Sequence, residues 1–222
     1  AVTGVGIFAP GFPNAATWVS GQQDAALPEP VGNLIDRRDR RRTSTLTRAL
    51  ADAYAEALNM AGYQPEEVAA VFGSALGEAE TMIGILDQIF STQEPVSPMR
   101  FAMSVHNAAS GVIATSTKNR GFTTSLGADF DTPAMALFEA MGIVAAHRQP
   151  VILDCGDEEA PKDLVHNNGR GWDLLAAAIA LGPAGLSPSE LRIRGPFHGV
   201  SSLPNASAPE PLALNPQMGL LD

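Results

Sequence analysis

Apolar runs alternate with helically spaced apolar stripes along this chain, and the alternation predicts an α/β fold rather than a helical bundle. Short apolar runs at residues 2–8, 68–74, 122–126 and 151–153 are typical of strands, and the last of them predicts a buried central strand. The alanine-rich run 172–181 is apolar at both odd and even positions, so its periodicity leaves helix and strand open.

Three stretches carry apolar residues at helical spacing. The first ends at Gly62, which is a stop signal, and the second spans residues 77–90. In the third, Thr132 is expected to be the N-cap and Pro133 the first helical residue. The three stripes are Leu46, Leu50, Ala53, Ala57 and Ala61; Met82, Ile85, Leu86 and Ile89; and Leu137, Met141 and Val144.

Two stretches lack a regular pattern. Residues 10–33 are rich in Pro, Gly and Asn and predict an irregular loop, either a lid or a packing excursion. Beyond Gly182 the composition shifts towards Pro, Ser, Gly and Asn, and only residues 191–194 suggest a short strand. We therefore divide the chain into a domain, 1–182, and an extension, 183–222.

The last part of the extension, residues 201–222, is expected to be an extended tail. Its proline content and scarcity of charge are compatible with disorder. Its apolar residues leave a second possibility, which is that the tail packs on the domain or on a partner. Those residues are Leu203, Leu212, Leu214, Met218, Leu220 and Leu221.

The composition fits one globular domain, since 222 residues with 45% hydrophobic content can bury a sizeable core. The net charge of −10 argues against a nucleic-acid partner. No 18-residue apolar run and no basic-then-apolar leader occurs, so we expect a cytoplasmic protein without a membrane span. The single cysteine, Cys155, excludes an internal disulfide.

Basic residues are concentrated in one region, where six of the fourteen lie within twelve positions. Such a run is commonly a solvated lead-in to a helix. It is also compatible with a docking surface for an acidic partner. The residues are Arg37, Arg38, Arg40, Arg41, Arg42 and Arg48.

Residues 100–117 predict a unit of strand, turn and helix. An extended run, 100–105, is expected to enter a tight turn of small residues in Ser104-Val105-His106-Asn107-Ala108-Ala109-Ser110-Gly111, and helical spacing follows it. This arrangement places the turn at a helix N-terminus. There the helix dipole lowers the pKa of a thiol and stabilises negative charge.

The chain resembles the short β-ketoacyl-synthase-like family, which covers the N-terminal half of a ketosynthase. The resemblance rests on residues 2–8, Arg-Arg-Arg-Thr-Ser at 40–44, Phe-Gly-Ser-Ala-Leu-Gly-Glu at 72–78, Ser-Pro at 97–98, the turn at 104–111, Asp-Thr-Pro at 131–133 and residues 150–158. It implies a thiolase-like half-fold, with a mixed five-stranded sheet, helices on both faces and a Pro-rich tail. It also makes 172–181 the last strand.

In ketosynthases of this family, a cysteine in the turn takes the acyl group, and two histidines of the C-terminal half assist condensation. Here Ala109 is expected at the cysteine's position, and no second strand–helix copy follows residue 180. The resemblance therefore implies a non-catalytic subunit of chain-length-factor type, with no cofactor. The middle helices of a half-fold would expose an apolar patch unless a tail or partner covers them.

The implied partners are a full-length ketosynthase and acyl carrier protein, in a type II fatty-acid or polyketide-like system such as an aryl polyene pathway. The basic residues Arg37, Arg38, Arg40, Arg41 and Arg42 are the expected carrier-protein docking site. The residues expected to wall the acyl tunnel or line the subunit interface are Met103, His106, Asn107, Ala108, Ala109, Ser110 and Ile113.

Two alternatives stay open, namely an acyl-thioester transferase or decarboxylase using Ser110, His106 or Cys155, and a carrier-protein docking scaffold. The acidic neighbours of Cys155 in 154–159 are expected to raise the pKa of its thiol. His106 is expected either to bond backbone in the turn or to line the tunnel. The other histidines, His147, His166 and His198, lack the spacing of a metal site, so no metal is expected.

Overall fold

The computed structural model describes residues 1–24, 26, 29–162, 171–185, 191–193, 212 and 215–220. The strands are β1 (Val2–Phe8), β2 (Ala69–Gly73), β3 (Thr123–Leu126), β4 (Val151–Asp157) and β5 (Leu175–Leu181). The α-helices are α1 (Ala15–Ser20), α2 (Arg37–Arg40), α3 (Thr45–Ala61), α4 (Ala79–Asp87), α5 (Pro98–Ala102), α6 (Ala108–Thr117) and α7 (Thr132–His147). A π-helical turn (Gln88–Thr92) follows α4, and a 3₁₀ helix (Pro216–Leu220) lies near the C-terminus.

The five strands form one mixed sheet in the order β1-β5-β4-β2-β3. The strands β2, β3 and β4 are parallel, whereas β5 runs antiparallel to both of its neighbours, β1 and β4. The run 172–181, left open by its periodicity, is the strand β5. Neighbours on both sides satisfy its backbone hydrogen bonds, and both of its faces are covered.

Helices cover both faces of the sheet, as expected. On one face, α3 and α6 pack on a core that includes Phe72, Ile113 and Ile152. On the other face, α7 packs on Val71 and Leu153. Alternate residues of β4 thus point into the two cores, and β4 is buried along its whole length.

The loop predicted at 10–33 contains a helix that the sequence pattern did not predict. Asn14 caps α1 in a capping box, because its Oδ1 accepts from the Thr17 backbone N–H at 2.9 Å and the Thr17 Oγ1 accepts from the Asn14 N–H at 3.4 Å. The helix has only six residues, too few to show an apolar stripe. Trp18 anchors it by an edge contact with Phe12, with ring centroids 5.2 Å apart.

The extended run predicted at 100–105 is wrong. Residues Pro98–Ala102 form α5, with Pro98 in the first helical turn, and the chain then turns through 103–107 into α6. The prediction of Thr132 as an N-cap is wrong by one residue. Asp131 occupies the cap position of α7, and Thr132 is the first helical residue.

The described part of the C-terminal extension packs on the domain. Leu212 and Met218 are buried with Ile7 and Leu175, and the 3₁₀ helix contacts α7, β4 and β5. Residues 191–193 are not a strand, although the Leu191 carbonyl accepts from the Val2 N–H at 2.9 Å. Arg194, Leu203, Leu214 and Leu221 lie outside the described residues. Within the described part of the chain, no helix has both the length and the apolarity to cross a membrane.

Candidate functional site

The turn before α6 exposes His106 and Asn107, but the helix start that follows it is buried. Ala109, the residue expected at the vacant nucleophile position, lies in the first turn of α6 and is only 6% exposed. Because α5 and a turn precede it, the geometry of strand, turn and helix is not present here. Its neighbour Ala108 is equally buried, and Ile113 belongs to the core between α6 and the sheet.

His106 joins two loops that lie beside this turn. Its Nε2 lies 2.8 Å from the Ser74 carbonyl oxygen, in the loop after β2. Its ring also packs closely on Gly77 and Gly127, where an added Cβ would approach ring atoms to 3.0 Å. His106 therefore bonds backbone and holds the loop that follows β2 against the loop that follows β3.

Ser110 ties α6 to the sheet. Its Oγ donates to the Asn107 carbonyl at 2.9 Å and lies 2.8 Å from the Oγ of Ser125 on β3, which donates to it. No hydrogen bond joins Ser110 to a histidine in the described residues. The Ser110 hydroxyl is thus used as a structural link, and its surroundings do not make it a nucleophile.

The residues expected to wall a tunnel are divided between two spaces. His106, Ala109 and Ser110 line a closed cavity of about 10 Å³, which holds at most one water molecule. Met103, Asn107 and Ala108 line an open groove of about 520 Å³ on the outer side of α5 and α6. The remaining groove residues are Asp39, Arg42, Thr43, Met99, Ala102, Val105, Gly111, Val112, Thr115 and Ser116.

A unit of strand, turn and helix does occur, but between β3 and α7. The turn spans residues 127–131, and Asp129 takes a φ of 52°, a left-handed conformation that is uncommon for a residue with a Cβ. The Thr132 Oγ1 accepts from the Ala128 N–H at 2.9 Å and donates to the Asp129 carbonyl at 2.6 Å, which fixes the turn. Phe130 lies at its tip and is 62% exposed.

The sequence contained signals for this second turn. A strand at 122–126 and a helix from Thr132 were both predicted, and only five residues separate the observed β3 from α7. The loop length alone would have identified a tight turn that enters a long helix. Phe130 was missed because no reactive side chain drew attention to it, and its ring lies 6.2 Å from that of Trp172.

Buried acids lie at the ends of β2 and β4, beside the turn before α6. Glu78 is 3% exposed, and its Oε1 accepts from Thr47 Oγ1 at 2.7 Å and Ser44 Oγ at 2.9 Å. Burial raises the pKa of Glu78. Burial also raises the pKa of Glu158 to about 7, despite the hydrogen bond that its Oε1 accepts from the Glu80 N–H at 2.7 Å.

Cys155 is fully buried in β4, and its Sγ lies within a core that includes Val71 and Leu153. Burial is the largest cause that raises the pKa of its thiol, and the carboxyl groups of Asp154 and Asp157 raise it further. This environment disfavours a thiolate. Cys155 is thus an unsuitable nucleophile, and no cluster of three or more potential metal ligands occurs among the described residues.

The basic residues of the cluster at 37–48 differ in their contacts and in their exposure. Arg40 is folded back, since its Nη2 donates to the Ile35 carbonyl at 3.0 Å. Arg48 lies 3.6 Å from Glu29 and also contacts Thr45. The exposed members of the cluster are Arg37, Arg38, Arg41 and Arg42, and Arg42 lies at the edge of the groove.

An apolar surface, which we call the α4–α5 face, lies next to the groove. The most extensive contacts of α4 are with α5 and the π-helical turn, so its outer side is left uncovered. Six large apolar side chains on this surface are at least 43% exposed. They are Met82, Leu86, Ile89, Phe90, Met99 and Phe101.

The sheet order, the helices on both faces and the strand–turn–helix unit define a ketosynthase half-fold of the thiolase-like class. The model of the β-ketoacyl synthase N-terminal domain matches residues 16–193, which is more than half of the chain. The chain therefore belongs to this family.

The chain is also similar to solved ketosynthase complexes. It is 27% identical to a chain of the ketosynthase ApeO in complex with its chain length factor ApeC from Xenorhabdus doucetiae, with a TM-score of 0.71 over 82% of this chain and 78% of that chain. The ishigamide ketosynthase/chain length factor matches at 17% identity and a TM-score of 0.67, over 84% of this chain and 63% of that chain.

A third match is the AntDE:AntF complex, a type II polyketide synthase acyl-carrier protein with its ketosynthase bound to the hexaketide. It has 15% identity and a TM-score of 0.65, over 82% of this chain and 62% of that chain. The chain spans less than two thirds of the matched chains in the ishigamide and AntDE:AntF complexes. At these identities, those two matches show the fold alone. No protein of curated function shows significant similarity to the chain.

Proposed function

We propose that this chain is a non-catalytic ketosynthase-like subunit of chain-length-factor type, which pairs with a full-length, cysteine-bearing ketosynthase. The observation that carries the proposal is the α4–α5 face, to which α4, the π-helical turn and α5 contribute six large exposed apolar side chains. Extensive exposed apolar surface marks protein interaction sites. The similarity to a chain of the ApeO–ApeC complex supports a ketosynthase as the occupant of that face.

The reactive thiolate would come from the partner. The turn before α6 carries Ala109, which is buried, and the turn before α7 carries Phe130 at its tip. Only the second turn has the strand–turn–helix geometry that presents a nucleophile at a helix N-terminus. We therefore move the vacant position from Ala109 to the β3–α7 turn, where the left-handed Asp129 and the exposed Phe130 stand.

The wall for the growing acyl chain would be the open groove rather than the closed cavity. A volume of about 520 Å³ lies in the range of small-molecule sites, whereas about 10 Å³ admits no acyl chain. Apolar and small side chains from α5 and α6 line the groove, among them Met103, Ala108 and Val112. Closure by the partner would convert this groove into part of a tunnel.

Carrier-protein docking would use the exposed arginines only. Arg37, Arg38, Arg41 and Arg42 are exposed and could meet an acidic surface, although the Arg42 Nη1 also donates to the Met99 Sδ at 3.6 Å, while the guanidinium of Arg40 bonds the Ile35 carbonyl. The setting that fits this arrangement is a cytoplasmic type II fatty-acid or polyketide-like pathway, of which the aryl polyene systems are one example.

Co-expression with a cysteine-bearing ketosynthase encoded nearby tests the pairing. The proposal predicts that the two chains co-elute in a fixed ratio and that this chain alone neither transfers nor hydrolyses acyl thioesters. An isolated, stable monomer with acyl-thioester activity would instead favour an enzyme that uses Ser110, His106 or Cys155. The buried thiol and the structurally bonded hydroxyl make that second outcome the less supported one.

The groove has its own test in Gly111→Leu. Gly111 lines the groove, and an added Cβ there meets no atom within 4 Å, so a larger side chain starts in open space and occupies groove volume. Gly142→Leu on α7 is the matched control, because its Cβ also enters open space. We expect shorter products from the complex with Gly111→Leu and unchanged products with Gly142→Leu. Unchanged product length in both variants would favour a docking scaffold without a tunnel role.

A further inference from the structure

The carboxylate of Asp157 connects two segments that are distant in sequence. Asp157 ends β4, is fully buried, and accepts on one side from the Ser74 Oγ at 2.7 Å and the backbone N–H groups of Ala75 and Leu76 at 3.0 and 2.9 Å. On the other side it accepts from the Gln217 Nε2. The loop that enters α4 and the C-terminal segment therefore share one buried carboxylate.

The C-terminal segment is built to reach this carboxylate. Asn215 and Gln217 are 3% and 0% exposed, which is rare for amide side chains. The Gln217 Oε1 has no hydrogen-bond partner among the described residues, so its Nε2 makes the side chain's bond to Asp157. The Asn215 Nδ2 donates to the carbonyls of Asp157 and Asp173 at 3.2 and 2.9 Å. The Asn215 Oδ1 accepts from the Gln217 N–H at 2.8 Å and thereby sets the position of the Gln217 side chain.

The other side of the connection leads to the α4–α5 face. The Ser74 Oγ accepts from the Gly77 N–H at 2.8 Å, one residue before the N-cap of α4 at Glu78. The residue after Asp157, Glu158, accepts from the Glu80 N–H in the first turn of α4. Since α4 makes its main contacts with α5 and the π-helical turn, these bonds at its N-terminus orient it on the domain.

We propose that Asn215 and Gln217 are positioning residues, which act through Asp157 to hold the β2–α4 loop and so present the α4–α5 face to the partner. A buried carboxyl group that loses one donor has an acceptor oxygen left unsatisfied, and its remaining bonds to the loop are disturbed. The presentation of the α4–α5 face to a partner rests on the proposed pairing function. The coupling between the C-terminal segment and the β2–α4 loop is a property of this chain alone.

The test is amide hydrogen exchange of the purified full chain, with wild type compared with Gln217→Met. Methionine keeps the volume of the buried side chain and removes the donor. We expect exchange at Ala75, Leu76 and Glu80 to rise about tenfold, the change that loss of one hydrogen bond to a charged group predicts. Exchange in β5 should stay unchanged. Leu220→Ala, in the same 3₁₀ helix but without a bond to Asp157, is the control and should leave the loop protected.

A second variant removes a hydrogen bond that the β2–α4 loop donates to the Asp157 carboxylate. Coupling is reciprocal, so Ser74→Ala should raise exchange of the amides of residues 217–220 in the 3₁₀ helix, although Ser74 makes no hydrogen bond to that segment. This measurement also tests the coupling between the loop and the C-terminal segment if Gln217→Met does not fold. Loop protection that is unchanged in Gln217→Met, or C-terminal protection that is unchanged in Ser74→Ala, would overturn the coupling.

Partner binding separates this inference from the proposed function. If the ketosynthase binds wild type, the variant Gln217→Met should bind it about tenfold more weakly, and equal affinity would overturn the positioning role. If the ketosynthase binds neither protein, the pairing proposal has failed, and the exchange results alone then decide the coupling.

Discussion

The turn before α6 and the turn before α7 differ in almost every respect that matters for chemistry. The first follows a short helix, carries the buried Ala109, and is bonded through His106 and Ser110 to neighbouring loops and strands. The second follows β3, carries the exposed Phe130, and contains a left-handed residue at Asp129. The turn before α6 is bonded into the structure, whereas the turn before α7 is exposed at Asp129, Phe130 and Asp131 and enters a long helix directly from a strand.

This difference shows that motif content and site geometry need not coincide. The histidine, asparagine and serine of 104–111 are residue types that commonly catalyse reactions, but here His106 bonds the Ser74 carbonyl, and Ser110 bonds the Asn107 carbonyl and Ser125 of β3. Gly127, in the β3–α7 turn, lies directly against the His106 ring. The turn before α6 therefore packs against the β3–α7 turn and supports it.

The largest expected effect is on thiol reactivity. Phe130→Cys places a thiol at the 62% exposed tip of the β3–α7 turn, whereas Ala109→Cys places it at a position that is 6% exposed. We expect alkylation by a small reagent to be on the order of a thousandfold faster for Phe130→Cys, because a buried thiol is both inaccessible and poorly ionised. Labelling rates followed by mass spectrometry measure the difference.

Two controls frame that measurement. The wild type supplies the background, since its one cysteine is fully buried. Phe138→Cys, 53% exposed on α7, tests exposure away from a turn and should react within about tenfold of Phe130→Cys. A thiol at Ala109 that reacts as fast as one at Phe138 would show that the α6 turn is open, which contradicts the comparison.

The next effect comes from the acids beside the α6 turn. Burial raises the pKa of Glu158 to about 7 from an ordinary value of 4.5, so the folded chain binds that proton more tightly than the unfolded chain. The stability this proton contributes is therefore complete below about pH 4.5 and is lost as the pH rises through 7. The raised pKa of Glu78 acts in the same direction.

Glu158→Gln isolates this contribution, because glutamine keeps an acceptor for the Glu80 N–H. Between pH 4.5 and 8, the free energy of unfolding of the wild type should fall by about 3 kcal/mol relative to the variant. Urea titrations at several pH values measure it. Parallel pH profiles for the two proteins would mean that the buried carboxyl of Glu158 titrates normally.

The smallest effect compares Gly127, in the β3–α7 turn, with Gly111, in the helix α6 that follows the other turn. In Gly127→Ala the new Cβ would lie 2.8 Å from the Ser74 carbonyl oxygen, so we expect a loss of about 1–3 kcal/mol of stability. In Gly111→Ala the Cβ enters open space within α6, so we expect a gain of about 0.5–1 kcal/mol. Denaturation midpoints of both variants should move in opposite directions. If the denaturation midpoints of both variants moved in the same direction, the tightly packed β3–α7 turn would not differ from the exposed surface of α6.

Much of the fold was predictable because its strands are apolar and its long helices carry clear stripes. Residues 68–74 and 151–153 lie in or around β2 and β4 as expected, and α3 ends at Gly62. The short helices α1 and α5 were missed, since helices of six and five residues show no periodicity.

The site was harder to predict than the fold. Polar residues at 104–111 matched a known motif, but their hydrogen bonds to Ser74 and Ser125 depend on tertiary contacts that no local pattern contains. The link from Gln217 to Asp157 joins residues 60 positions apart and was equally invisible. Loop length was the usable signal for the β3–α7 turn.

The affinity of this chain for the proposed ketosynthase partner is the measurement that tests the central claim most directly. Leu86→Glu puts a charge on the α4–α5 face, and Val19→Glu puts the same charge on the 85% exposed Val19 of α1, away from that face. We predict tight binding for wild type and Val19→Glu, and a loss of about a hundredfold for Leu86→Glu, as for a central apolar contact. Equal affinity for the two variants, or no binding by the wild type, would contradict the account.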